Sequence, residues 1–337
     1  MSLQNETEDN WFRGQTELKL FETEYRPFHA YISLVISVFG IIGNSLNVFI
    51  LTRKEMISAM NILLTALAVT EGLKLTLHLT FIVLFFFVYD NALSPLVKVS
   101  YAMFYFIVAI VFHTASIWLT VSLAIFRYIA IRFPLLAATL CSRYRAKVNV
   151  VIVCFLVTVM CIPNSLSYSY VSNNSDNVTN WHITVIDGTE GNNFIRKLNL
   201  WFSTFFVRLL PCLLLLWLSF LLIQELRRAA ERSSNLRSQE NDDSDDTIQK
   251  RTETNRTTGM LVIVVVLFIV IELPHGILLI LVATNRDYFY DVYHPLGDLI
   301  DDITLLNNGI NFVIYCTMSK KFRDTFIAMF SCSKVNC

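Results

Sequence analysis

The chain has 337 residues, 54% of them hydrophobic and only 16% charged, and its mean hydropathy is +0.52, a balance outside the range of soluble globular domains. Lys plus Arg number 27 and Asp plus Glu 27, so the formal net charge is zero and there is no basic signature of a nucleic-acid partner. These numbers describe a membrane protein; its seven cysteines include no Cys-x-x-Cys and no metal-ligand spacing with histidine, and no cofactor is expected.

The first thirty residues are polar and lack the apolar core of a cleaved signal peptide, so insertion falls to the first span. Seven apolar stretches follow, at 30–52, 60–88, 97–126, 147–167, 199–223, 259–283 and 295–316, each near the ~20 residues a spanning helix needs. The fold class is therefore all-α. We expect an extracellular segment at 1–30, a seven-transmembrane helix bundle at 31–318 and a cytoplasmic tail at 319–337. The second and seventh stretches carry Glu71, Lys74, His78, Asp298, Asp301 and Asp302, and spans this polar face the bundle rather than lipid. In the third there is no Asp, Glu, Lys or Arg from Tyr101 to Phe126, and Arg127 then marks the point where the helix leaves the hydrocarbon.

Lys and Arg in the connections set the orientation: 18 fall on the side of 53–58, 127–147, 224–258 and 317–337, against 7 on the other. This predicts a multi-pass plasma-membrane protein with an extracellular N-terminus. The sequons at Asn5, Asn173 and Asn177 fall on the same outer face, as glycosylation sites must, whereas the one at Asn255 falls inside. The inner connection from Gln224 to Thr258 is basic, then acidic at Asp242, Asp243, Asp245 and Asp246, then basic again. Helix ends around a disordered middle are the expectation there. The stretch 319–330 mixes basic and aromatic residues like a short amphipathic eighth helix on the inner leaflet, followed by Cys332 and Cys337 as lipidation candidates.

An Arg-Tyr pair closing the third of seven spans resembles the rhodopsin-like G-protein-coupled receptors, and other spans carry the resemblance further. Gly43-Asn44 and Leu67-Ala68-Val69-Thr70-Glu71 are similar to that family's motifs in spans one and two, with Glu for Asp. Pro211 matches the proline of span five, Phe268 to Pro274 the Phe-x-x-Cys-Trp-x-Pro of span six, and Asn311-Phe312-Val313-Ile314-Tyr315 the Asn-Pro-x-x-Tyr of span seven. Phe126-Arg127-Tyr128 in place of Asp-Arg-Tyr, Glu272-Leu273-Pro274-His275-Gly276, and the run from Asn311 to Ser319 look like the invertebrate myosuppressin and FMRFamide-type neuropeptide receptors. The resemblance implies a receptor for a short, amidated, RF-amide-like neuropeptide that passes its signal to a heterotrimeric G protein. A chemosensory or orphan receptor of the same fold for a non-peptide ligand remains open. So does a proton-coupled transporter, motivated by Glu71, Lys74 and Glu272 within the membrane.

Roles follow from the resemblance residue by residue. Arg127, Tyr128 and Tyr315 are expected at the G-protein face, and Phe268, Glu272, Pro274 and Asn311 in the activation switch. Glu71, Ser116, Asn307 and Asn311 are expected in a central polar cluster. There the longer Glu71 crowds a sodium site, and Lys74, three residues on, offers an internal ion pair instead. His113, Glu272, His275, Asp298, Asp301 and Asp302 are candidate ligand contacts. The three aspartates share one helix face, with Asp298 or Asp302 expected to take a peptide guanidinium. Glu272 reads either as a counter-charge for a cationic ligand group or as a protonated acid bonded to its neighbours. Ala109 replaces the Asp of amine receptors, no retinal lysine lies in span seven, and Ala102 stands where relatives have the cysteine of the outer disulfide. With Phe126 and Thr254 flanking Arg127 without an acid, restraint by packing and neutral hydrogen bonds, and hence measurable ligand-free signalling, is expected.

Overall fold

The computed structural model describes residues 2–88, 94–166, 168–175, 178–185, 198, 200–237, 245–284 and 287–331. In chain order the helices are α1 (Ser2–Leu51), α2 (Ala59–Ile82), α3 (Pro95–Arg132), α4 (Pro134–Leu140), α5 (Arg143–Ser165), α6 (Leu210–Arg237), α7 (Asp245–Thr284), α8 (His294–Gly309), α9 (Asn311–Met318) and α10 (Lys320–Ser331). Between α5 and α6 lies an antiparallel hairpin of β1 (Tyr168–Ser175) and β2 (Val178–Val185), the one departure from all-α among the described residues.

Six of the described helices are long and apolar enough to cross a membrane, α6 together with the residues from Leu200 that lead into it. The seventh span is α8 plus α9. Each is too short to cross alone, and they meet at Ile310, so the expected stretch 295–316 is covered by two helices in series. Helix starts follow ordinary capping chemistry: Ser58, Ser94 and Ser142 accept hydrogen bonds from the backbone N–H of Asn61, Val97 and Arg145, and Pro95 supplies a preset φ at the first turn of α3. Pro163 and Pro274 lie inside continuous helices, whereas Pro211 adjoins a widened π turn at Thr204–Leu209.

Burial divides the bundle along its axis. The apolar core occupies the inner half, where Leu63, Leu67, Ile117, Leu119, Leu123, Leu215, Leu222, Val265 and Ile314 pack together. The buried polar side chains of His29, Ser33, His78, His113, Glu272, His275 and Asp302 lie in the outer half. Spans one and seven touch backbone to backbone: a Cβ on Gly40 would lie 3.1 Å from Gly309 Cα and 2.7 Å from Leu75 Cδ1. Phe322 of the amphipathic α10 is fully buried and stacks edgewise on Phe312, tying the expected eighth helix to the end of span seven.

The segment 1–30 is helical: α1 begins at Ser2 and runs without a break through Pro27 into the first span. The segment is tied to span seven by Tyr25 bonded to Asp302 and Glu22 beside His294, and Leu18, Phe21 and Tyr25 share one half-buried face. In the inner connection, helix persists to Arg237 and resumes at Asp245, while 238–244, with Asp242 and Asp243, lies outside the described residues.

Candidate functional site

Lys74 of α2, His113 of α3, Glu272 and His275 of α7, and Arg208 at the end of the π turn form one connected polar network in the outer half. Glu272 and His275 are three residues apart on one helix face and so can share a partner. That partner is Arg208, whose Nη1 donates to Glu272 Oε2 at 2.7 Å and to His275 Nδ1 at 2.9 Å. Arginine is donor-only, so His275 carries its proton on Nε2, which donates to the Tyr293 hydroxyl at 3.0 Å. By the same logic Lys74 Nζ donates to His113 Nδ1 at 3.2 Å, and the protonated His113 Nε2 stands 3.4 Å from Glu272 Oε2. That last contact is not a hydrogen bond: His113 Nε2 has no hydrogen-bond partner among the described residues, and neither has Glu272 Oε1. Glu272 is fully buried, so its charge is balanced inside the bundle by Arg208.

Arg208 has no place in the sequence-derived site, although a lone cation in an otherwise apolar span was itself a signal that a buried acid must face it. The ion pair expected between Glu71 and Lys74 does not close. Asn311 Nδ2 donates to both Glu71 oxygens at 2.8 Å, and Lys74 turns outward to His113. Ser116 bonds Thr70 at 3.0 Å, and Asn44 Nδ2 donates to the Asn308 carbonyl at 2.9 Å; Asn307 joins none of these bonds.

The three aspartates of span seven have separate surroundings despite their shared face. Asp302 is buried and satisfied by α1: the Tyr25 hydroxyl donates to Oδ2 at 2.7 Å, Ser33 to Oδ1 at 2.5 Å, and His29 Nδ1 lies 3.1 Å from Oδ1. Farther out, Gln15 Nε2 donates to Asp291 at 2.9 Å and His294 lies 3.2 Å from Glu22. Asp298 is partly exposed, 4.0 Å from His29. Asp301 is exposed, yet it lies within electrostatic reach of Lys74 and His29. An exposed side chain surrounded by inward-facing groups lines an opening into the bundle, and no hydrogen bond or ion pair closes on Asp301 among the described residues.

At the inner end, Arg127 is half-buried, its Nε has no partner among the described residues, and Tyr315 is the ionisable group it senses. Tyr128 packs edgewise on Phe133. No acid closes on Arg127 among the described residues, but a neighbouring arginine of the same helix is paired. Glu225 of α6, itself buried, accepts from Arg228 at 2.8 Å and pairs with Arg132 Nε at 3.5 Å, joining the inner ends of spans three and five. The cation used is Arg132, one and a half turns beyond Arg127, and its acid comes from span five instead of span six. With Arg132 40% exposed, the pair is worth about 1 kcal/mol. Glu225→Gln should therefore raise ligand-free signalling about fivefold in a G-protein reporter assay at equal surface expression; unchanged basal output would show that the pair does not restrain the inactive state.

The side chains of Phe268 and Thr254, those at Asn5 and Asn173, and all of Asn177, Cys332 and Cys337 lie outside the described residues. Cys141, Cys154, Cys161, Cys212 and Cys316 are free thiols.

Comparison with known proteins adds the family. The model of the serpentine-type seven-transmembrane G-protein-coupled chemoreceptor family Srw matches residues 31–333. Over 93% of its length the chain is 29% identical to the G-protein coupled receptor dmsr-1 of Caenorhabditis elegans, covering 70% of that protein. It is 28% identical to the sex peptide receptor of Drosophila melanogaster, covering 90% of this chain and 72% of that one. It is 27% identical to the FMRFamide receptor of Drosophila melanogaster, covering 88% of this chain but 52% of that one.

Proposed function

Because the chain belongs to the serpentine-type seven-transmembrane G-protein-coupled receptor family, and is thus a multi-pass signalling receptor and not an enzyme, we propose that it detects a short RF-amide-like neuropeptide at the cell surface. In this reading the N-terminus is extracellular, the peptide enters the outer mouth of the bundle, and a heterotrimeric G protein binds the inner face around Arg127. Two relatives whose names specify peptide ligands support a peptide over a non-peptide ligand.

The observation that carries the proposal is the division among the acids of span seven. Asp302 is consumed by α1, whereas Asp301 presents an open carboxylate within electrostatic reach of Lys74 and is the natural partner for a peptide guanidinium. Binding there pulls on spans two, three and seven and shifts the population toward the conformer with span six displaced outward. The test is a panel of amidated peptides ending in Arg-Phe, applied to cells with a G-protein reporter. The wild-type chain should respond, and Asp301→Asn should weaken potency about tenfold to thirtyfold, the loss of one charge-assisted contact. Asp302→Asn should instead lower surface expression. Silence across the panel with surface expression confirmed would turn the reading toward a non-peptide ligand.

A further inference from the structure

Arg208 donates through Nη1 alone. Its Nε and Nη2 make no hydrogen bond among the described residues, and they are not among the polar atoms sealed from solvent. These two groups lie on one edge of the planar guanidinium, so the arginine is held by one nitrogen and leaves a two-donor fork open. The side chain is 13% exposed. A charged edge turned to lipid is costly, and the groups that sense Arg208 electrostatically, Lys74, His113 and Cys212, all belong to the interior of the bundle. The open fork therefore faces the floor of the outer mouth.

Charge decides what the fork can take. Glu272 at 2.7 Å already balances Arg208, so an entering group need not bring a full counter-charge and a neutral carbonyl oxygen suffices. Lys74 senses both Asp301 and Arg208, so the open carboxylate and the open fork are both within electrostatic reach of one ammonium group. In an extended chain, a terminal carbonyl lies one residue, roughly 3.3–3.6 Å of backbone, beyond the residue that places its side chain on Asp301.

We propose that Arg208 is a ligand-binding residue that holds the terminal carbonyl oxygen of the peptide, and that it thereby selects ligands ending in an acceptor. The inference rests on the peptide reading above and assigns a deeper contact within the same site. Its two donors fix a planar end group in orientation as well as position, which a single ammonium cannot do.

The test is a double-mutant cycle between receptor and peptide. The probes are Phe-Met-Arg-Phe-amide and an analogue whose terminal carboxamide is replaced by hydrogen, so that the peptide ends in phenethylamine. The receptors are wild type and Arg208→Met/Glu272→Leu, which removes the buried pair together and keeps apolar packing. On wild type the analogue should bind about tenfold more weakly than the amide; on the double variant the two should bind alike. Arg208→Lys, which keeps a cation for Glu272 but lacks the fork, should show the same levelling and serves if the double variant does not reach the surface. A full tenfold preference retained by either variant at the cell surface would overturn the proposal while leaving the peptide reading intact. Failure of Phe-Met-Arg-Phe-amide to bind wild type while other peptides ending in Arg-Phe-amide do moves the cycle to the strongest of those. Failure of all of them defeats the peptide reading and this assignment with it.

Discussion

Glu272→Leu alone should remove most of the receptor from the cell surface. Glu272 is fully buried and lies 2.7 Å from Arg208, so leucine would leave a guanidinium in the middle of the bundle with no acid to balance it. Breaking a buried pair from one side costs about 3–5 kcal/mol. That is a large share of the roughly 5–15 kcal/mol that separates folded from unfolded domains. Arg208→Met combined with Glu272→Leu should recover much of the loss, because well-packed apolar residues replace a buried ion pair at little or no net cost. Surface labelling of an epitope tag and thermal unfolding of the detergent-purified chain measure both effects. If the single variant is as abundant and as heat-stable as wild type, the carboxylate is not balancing the arginine.

Arg127→Ala should abolish the G-protein response to peptide and leave peptide affinity unchanged. Arg127 sits at the inner end of span three with an unpartnered Nε beside Tyr315, while the acid that pairs with a span-three cation is committed to Arg132. Its donors are thus held ready on the inner face without being consumed by an intramolecular bridge. The proposed peptide contacts, Asp301 and Arg208, lie in the outer half of spans seven and five. A radioligand displacement assay run alongside a nucleotide-exchange assay separates the two properties. Residual exchange near the wild-type level would place the G-protein contact elsewhere, and Leu135, 91% exposed on the short inner helix α4, is the next side chain to vary.

Much of the architecture was legible from residue order alone because membrane insertion is governed by local composition. Long runs without charge, such as Tyr101 to Phe126, can only be spanning helices, and Lys and Arg outside them set the orientation. What was not legible depends on which helices are neighbours. The spacing of Asp298, Asp301 and Asp302 gives one shared face, but one residue of helical rotation turns Asp302 into Tyr25 and Ser33 and leaves Asp301 on the opening. Arg208 and Glu272 are 64 positions apart, and no periodicity links them. The helical N-terminal segment was missed for the same reason, its partners Asp291, His294 and Asp302 lying more than 260 positions away.

The glycine crossing of spans one and seven has a mechanical consequence. With backbone against backbone at Gly40 and Gly309, and side-chain bonds from Gln15 to Ser33 above that point, the two helices cannot slide or tilt independently. They form a fixed post, the stator against which the proposed outward movement of span six would be measured. Asp301 belongs to α8 and Asn311, bonded to Glu71, to α9, so a push on the outer helix reaches the polar centre across the joint at Ile310, just below the glycine contact that pins α8 to span one.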